Sequence, residues 1–248
     1  MNWFSRLKLR PNTGFDAPIA PKGPFFAVGD IHGSLEKFRK ILIAIEQRDI
    51  AAPIVFVGDY IDRGDRSADV LLGLMELDEA PRVTCLKGNH EVMLLEFLED
   101  PQTQYRFWIQ NGGLQTLWSY GLRSIDPDAS PEDIDEIAEG LNSAMGQKTL
   151  DWLNSLPTMW NSGNVYVTHA GADPARKMTE QYEDVLLWGH RAFGRQERED
   201  GIWVLHGHTI VDQPICADGR ISIDTGAYAS GRLTGAYVSQ GNVEFFEV

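Results

Sequence analysis

Residues 58–64 read Gly58-Asp59-Tyr60-Ile61-Asp62-Arg63-Gly64 and follow the apolar run Ile54-Val55-Phe56-Val57. Two carboxylates and a guanidinium thus sit between glycines on a loop leaving a buried strand, a set suited to holding metal and phosphate. Taken alone, the segment has the lesser reading of a strand with a polar turn after it. The rest of the chain supplies the partners. Of the six histidines, five (His32, His90, His169, His206 and His208) lie in glycine-flanked loops after apolar runs, and the sixth is His190. Together with Asp30, Asp59 and Asn89 they offer oxygen and nitrogen donors and no thiolate. That composition suits Mn²⁺ first, then Fe or Zn²⁺, and argues against a cysteine-type structural zinc site.

There are enough donors for two metal ions. Paired ions roughly 3.5–4 Å apart clamp the attacking and leaving oxygens of an in-line displacement and acidify a shared water. One carboxylate must bridge them, and Asp59, in the loop of the central unit, is the natural choice. Positive charge on the phosphoryl oxygens would come from a bidentate Arg63. The leaving alkoxide needs a proton. His90 is placed to give it if Asp62 orients the ring and raises its pKa.

These residues need elements to carry them. Phe25–Val28 reads as a strand, Gly29-Asp30-Ile31-His32-Gly33 as its loop, and Leu35, Phe38, Ile41, Leu42 and Ile45 as the apolar face of a helix. The pattern repeats with strand 54–57 and the helical residues Val70, Leu71, Leu74 and Leu77. It repeats again with strand 83–86, loop Gly88-Asn89-His90-Glu91 and a helix containing Val92, Leu95 and Phe97. Strand–helix units in series imply a sheet with helices packed on it, and its ligands gather beyond the carboxyl ends of the strands. Residues 101–160 are aromatic and helical. Ser130-Pro131-Glu132-Asp133 is a helix start with a capping serine and a proline at the first position. The segment reads as a helical insertion beside the sheet. After it come strands at 165–168, 203–205, 221–224, 233–238 and 243–246, the last three as a closing meander. The expected fold is α/β (α+β, four layers), a central β-sandwich of two mixed sheets flanked by helices. An extended lead-in, 1–24, precedes a single domain, 25–248.

The chain has 248 residues, 43% of them hydrophobic, and a formal net charge of −14. An acidic surface argues against binding nucleic acid or an anionic membrane, so a phosphate substrate must be attracted locally. Cys85 and Cys216 make no disulfide framework and read as reduced thiols of a cytoplasmic protein. The first residues are basic without an apolar core after them, which does not fit a signal peptide, and Trp3, Phe4, Leu7 and Leu9 read as a tail. No apolar run has the length of a membrane span.

Five motifs in this order and spacing, GDIHG at 29–33, GDYIDRG at 58–64, GNHE at 88–91, THAG at 168–171 and HGHT at 206–209, resemble the phosphoprotein phosphatase branch of the calcineurin-like metallophosphoesterases. The likeness runs over roughly residues 25 to 230. NGGLQTLWSYG at 111–121 and IDTGAYASGRLTG at 223–235 look like the small bacterial and phage-type serine/threonine phosphatases. The resemblance implies two divalent ions. Asp30 and His32 would hold the first, Asn89, His169 and His208 the second, and Asp59 would bridge. Asn89 and Arg63 would touch phosphate, and His90 would be the general acid paired with Asp62. His208, directly before the threonine of HGHT, takes the ligand role; His206 is left nearby without one.

One departure concerns phosphate binding. Relatives place an arginine two residues after the tryptophan of the Leu186-Leu187-Trp188 segment. Here His190 stands in that place and Arg191 follows it, so either Arg191 turns in to bind phosphate or the site holds phosphate with one arginine fewer. The implied activity is hydrolysis of phosphoserine or phosphothreonine in a protein or peptide, with no nucleic acid or membrane partner; a monomer fits. The alternatives are a diadenosine polyphosphate hydrolase and a catalytically silent phospho-binding protein. Asp62 and Glu91 count against the first, since dinucleotide hydrolases usually carry another residue at the former and GNHD at the latter. The filled ligand positions count against the second.

Overall fold

The computed structural model describes residues 14–248 apart from 124, 125 and 127, so Trp3, Phe4, Leu7 and Leu9 lie outside the described residues. The first half alternates as its apolar spacing predicts. It runs β1 (Phe25–Val28), α1 (Leu35–Glu46), β2 (Ile54–Phe56), α2 (Ser67–Asp78), β3 (Val83–Cys85) and α3 (Asn89–Glu99). The helical segment follows as α4 (Pro101–Trp108), a π-turn over Ile109–Gly113, α5 (Leu114–Ser119) and α6 (Pro131–Ser155). Ser130 caps α6 by accepting the Asp133 N–H, as its sequence predicts. The second half holds β4 (Met159–Ser162), β5 (Val165–Thr168), α7 (Glu183–Trp188), β6 (Trp203–His206), β7 (Ile215–Ala217), β8 (Arg220–Ser222), α8 (Ala227–Ser230), β9 (Thr234–Ser239) and β10 (Asn242–Glu247).

The strands form two mixed sheets, ordered β10-β9-β1-β2-β3 and β4-β5-β6-β8-β7. In the first, β1, β2 and β3 are parallel and the C-terminal hairpin adds antiparallel to β1. In the second, β5, β6 and β8 are parallel, with β4 and β7 antiparallel on the edges. Alternation along the strands decides which layer each side chain joins. Phe25, Ala27, Val55 and Val57 point between the sheets and meet Val165, Val167, Leu205 and Ile221. Phe26, Val28, Ile54 and Phe56 point the other way, into a core with Phe38 and Ile41 of α1, Leu71 and Leu74 of α2, and Phe97 of α3. A smaller cluster of Val204, Leu186, Met178 and Phe193 covers the outer face of the second sheet.

Two expectations need correction. Residues 101–160 are not helical to their end. Met159–Ser162 form the edge strand β4, paired antiparallel with β5, and the helix stops at Ser155 just before Pro157. The last three strands also do not form one meander. The first of them, β8, lies parallel to β6 in the second sheet, while β9 and β10 form a hairpin on the first. Pairing partner is not encoded in the alternation of a strand, and the two sheets offer similar apolar faces.

Candidate metal centre

All five loops meet at one end of the sandwich. The first two are joined by backbone bonds: the Asp59 carbonyl accepts the N–H of Ile31 (3.0 Å) and of His32 (2.9 Å), and Tyr60 accepts from Gly33. The last two are joined where Gly207 N–H donates to the His169 carbonyl at 2.9 Å. The halves are tied across by His208 N–H, which donates to Asp30 Oδ2 at 2.9 Å, and by His169 Nδ1, 3.0 Å from the Val57 carbonyl. Gly207 is required at this seam, because a Cβ there would strike the Asp30 carboxylate and the Val57 side chain.

The loops are tightly wound. His32, Asp59, Asp62, Arg63 and His208 all have φ between 44° and 69°, a left-handed backbone that L-residues seldom adopt. Such conformations cost on the order of 1–3 kcal/mol each and persist where surrounding contacts impose them. Glu91, legible in the sequence only as the last letter of the GNHE motif, is one source of that imposition. Its buried carboxylate accepts the N–H of Asp59 (2.9 Å), Tyr60 (2.8 Å) and Gly88 (2.9 Å), fixing the second loop against the start of α3. Burial, with the charge of Asp59, pushes Glu91 up to about 7 against the lowering effect of these N–H groups.

Asp59 is the common member of two clusters of potential ligands. One is His32, Asp59 and His90; the other is Asp59, His169 and His208. Asn89 Oδ1 joins the second, 2.8 Å from His169 Nε2 and 2.9 Å from His208 Nδ1. The proton inventory identifies what belongs between them. His32 Nδ1 donates to the Ile61 carbonyl at 2.7 Å, so Nε2 carries a lone pair, and that atom faces Asp59 Oδ2 at 3.5 Å. His169 donates from Nδ1 to Val57, so its Nε2 is likewise a lone pair. It meets Asn89 Oδ1, His208 Nδ1 (3.2 Å) and Asp59 Oδ1 (3.3 Å). Beyond the His90 backbone N–H on Asp59 Oδ1 and Arg63 Nη1 on His32 Nε2, at most one proton, on His208 Nδ1, is shared among these acceptors. Asp30 Oδ1 is buried with no hydrogen-bond partner at all. Converging lone pairs and an orphaned carboxylate oxygen are compensated by cations, so the residues present fit a divalent metal centre.

The protonation tendencies agree with that chemistry. Burial holds His32 down to about 3 and His208 to about 4, and lowers His169, leaving all three neutral. Burial alone would raise Asp59, but His169, His90 and His32 around it hold its carboxyl well below the usual range. Burial and the neighbouring charges of Asp224 and Asp59 push Asp30 well up. His90 behaves differently. Burial disfavours its charge, yet Asp59 and Asp62 outweigh this and raise it above the ordinary imidazole value. Its Nδ1 lies 2.7 Å from Asp62 Oδ2, and its Nε2 faces the centre, 3.8 Å from Asp59 Oδ2.

The remaining residues named from sequence divide. Half-buried Arg63 donates from Nη1 to His32 Nε2 at 3.1 Å, with its guanidinium carbon 5.0 Å from the ring centre of Tyr228. Tyr228, on α8, thus borders the centre. Only its position in the 223–235 motif hinted at that. Arg191 is exposed and lines, with His190, Trp188, Arg220 and His208, a cleft of about 430 Å³ beside the centre. His190 belongs to neither ligand cluster and lies 3.8 Å from Asp173. His206 is occupied elsewhere, its Nε2 2.8 Å from Ser222 Oγ and its Nδ1 2.9 Å from the Gly207 carbonyl.

Comparison with known proteins places the chain in a family. A model of the calcineurin-like phosphoesterase family matches residues 23–220. The chain is 28% identical over 224 residues to serine/threonine-protein phosphatase 2 of Escherichia coli, covering 84% of this chain and 90% of that one. It is 24% identical over 232 residues to the asymmetrical bis(5'-nucleosyl)-tetraphosphatase PrpE of Bacillus subtilis, covering 84% and 88%. Among solved structures, the cold-active protein-tyrosine phosphatase of a psychrophilic Shewanella shares the fold with a TM-score of 0.57 at 18% identity, over 92% of this chain and 83% of that one. No helix among the described residues is long and apolar enough to cross a membrane.

Proposed function

Because the chain belongs to the calcineurin-like phosphoesterase family, we propose that it is a metal-dependent phosphomonoesterase acting on phosphoserine and phosphothreonine in protein or peptide substrates. The observation that carries this reading is the His90–Asp62 pair, 2.7 Å apart beside the Asp59-centred cluster. A serine or threonine alkoxide is a poor leaving group and needs a proton as it departs. A nucleotide phosphate is a good one and does not.

Asp59 would be shared by two divalent ions, with Asp30 and His32 on one side and Asn89, His169 and His208 on the other. The oxygen and nitrogen donors favour Mn²⁺. Bound in pairs, such ions acidify a water and neutralise phosphoryl oxygens. The protein's own groups do the rest. Arg63, whose Nη1 lies 3.1 Å from His32 Nε2, would offer its fork to the phosphoryl oxygens, and a second cation, Arg191, stands on the wall of the adjoining cleft. As the water oxygen bonds to phosphorus, the ester P–O bond breaks and its electron pair goes to the leaving oxygen. That oxygen takes the proton from His90 Nε2. Asp62, bonded at Nδ1, keeps the ring turned and stabilises its charged form. Net charge −14 favours a protein substrate over a nucleic acid.

The likeness to PrpE of B. subtilis supports a second reading, hydrolysis of dinucleoside polyphosphates at the same centre. Phosphate release by metal-stripped protein reloaded with Mn²⁺ separates the two, with a phosphoserine peptide and diadenosine tetraphosphate assayed side by side. The first reading predicts turnover of the peptide. Turnover of the dinucleotide alone would replace it with the second.

A further inference from the structure

The Asp62 carboxylate is held from a direction that the ligand clusters do not explain. Trp108, at the end of α4, donates its indole N–H to Asp62 Oδ2 at 3.0 Å, with Oδ1 at 3.2 Å. Thr116, on α5, donates its hydroxyl to Oδ1 at 2.7 Å. The same hydroxyl oxygen accepts the Asp62 backbone N–H at 2.9 Å, and Ser67 Oγ lies 3.1 Å from that N–H. Asp62, Trp108 and Thr116 are all fully buried, and the Trp108 ring stacks on Phe97 with centroids 4.8 Å apart. The π-turn at Ile109–Gly113 lies between the two donors and gives its Gly112 carbonyl to Arg63 N–H at 3.1 Å.

We propose that Trp108 and Thr116 are positioning residues for proton donation by His90, acting through Asp62. The proposal rests on the phosphomonoesterase reading. A carboxylate bonded only to His90 could rotate about its terminal torsion, which is broad. Two further donors, fixed in a buried wall, leave Oδ2 one orientation, and that orientation sets the direction of His90 Nε2–H. The helical segment is therefore part of the reaction apparatus, although neither residue reaches the substrate.

Leaving-group dependence tests this. In the Mn²⁺-loaded enzyme, Thr116→Val is expected to lower kcat for phenyl phosphate about tenfold more than for p-nitrophenyl phosphate, with KM unchanged, because only the poorer leaving group needs the proton. Trp108→Phe should act in the same direction, and Thr116→Ser should restore the rate. In a His90→Asn background, Thr116→Val should have no further effect. If Thr116→Val does not fold, Trp108→Phe carries the comparison. An equal fall with both esters, a change in KM alone, or a serine variant as impaired as the valine one overturns the positioning role. A wild-type enzyme that turns over neither ester removes the phosphomonoesterase reading and this inference with it. Turnover by wild type with a uniform loss in the variants overturns this inference alone.

Discussion

Glu91, in the first turn of α3, meets Asp59 in the loop after β2, with the Glu91 carboxylate accepting the Asp59 backbone N–H at 2.9 Å while Asp59 Oδ1 accepts the N–H of His90 at 3.1 Å. A carboxyl group outside both ligand clusters thereby shapes the backbone of the residue common to them. Glu91→Gln keeps the shape of the side chain but turns an amide toward N–H groups that need an acceptor. We expect a loss of about 3 kcal/mol in the metal-free protein and a fall in Tm of roughly 6–12 °C. A melt within a degree of wild type would show that the three bonds are dispensable.

Asp59 belongs to both ligand clusters, so Asp59→Asn should remove the shared negative charge from both sides at once. Turnover is expected to fall by at least ~10³-fold, with metal content reduced below that of wild type. Elemental analysis after dialysis, beside phosphate release, checks both. Full metal content with near-normal turnover would remove Asp59 from the centre.

For His90→Asn the expectation is a different pair of results. The rate on poor leaving groups drops by on the order of 10²-fold, and metal content stays at the wild-type level. Since His90 also lies within reach of His32 and Asp59, loss of metal in this variant would make it a ligand instead of a proton donor.

Gly207→Ala places a methyl group against the Asp30 carboxylate where the two halves meet. Either Asp30 or the 206–209 loop must shift. Metal affinity should weaken by about tenfold or more, in line with the loss of a well-oriented ligand. Calorimetric titration with Mn²⁺ measures this, and an unchanged affinity would mean that the seam has slack.

Arg198, nearly buried, links the 173–176 turn to Asp200 by donating to the Asp173 and Arg176 carbonyls and to the Asp200 carboxylate. Burial would raise the Asp200 pKa, but the Arg198 hydrogen bond and charge outweigh it and the pKa is lowered. A carboxyl depressed on folding contributes stability that is complete above its unfolded value of about 3.9 and is lost as pH falls through the lower folded value. Thermal melts of wild type and Asp200→Asn should therefore converge below pH 4 and separate above it. A constant separation across this range would place the effect elsewhere.

The site was legible wherever one loop carries its own chemistry. Asp30, His32, Asp59, Asn89, His169 and His208 each follow an apolar run and are flanked by glycine or an adjoining turn. Five such loops can converge only at the carboxyl ends of strands. Contacts made at a distance were not legible. Nothing in a tryptophan and a threonine 46 and 54 residues from Asp62 marks them as its partners, because their own helices give both an ordinary packing role. Glu91 was visible as a letter of a motif, but its three backbone N–H groups come from loops that only the folded chain brings together. The strand β7 is only three residues long, Ile215-Cys216-Ala217, too short for an alternation to betray it.

The strand order of the first sheet has a consequence for how the protein is made. Phe25 at the start of β1 pairs with Val238, and Val28 pairs with Gly235. While the chain emerges from the ribosome, β1 can find β2 and β3 early, but its other edge stays open until β9 has been added. Vectorial synthesis thus leaves the first sheet unfinished until strands some two hundred residues downstream of β1 arrive. Asp30, two residues past that strand, can take the His208 N–H only once the 206–209 loop has been made.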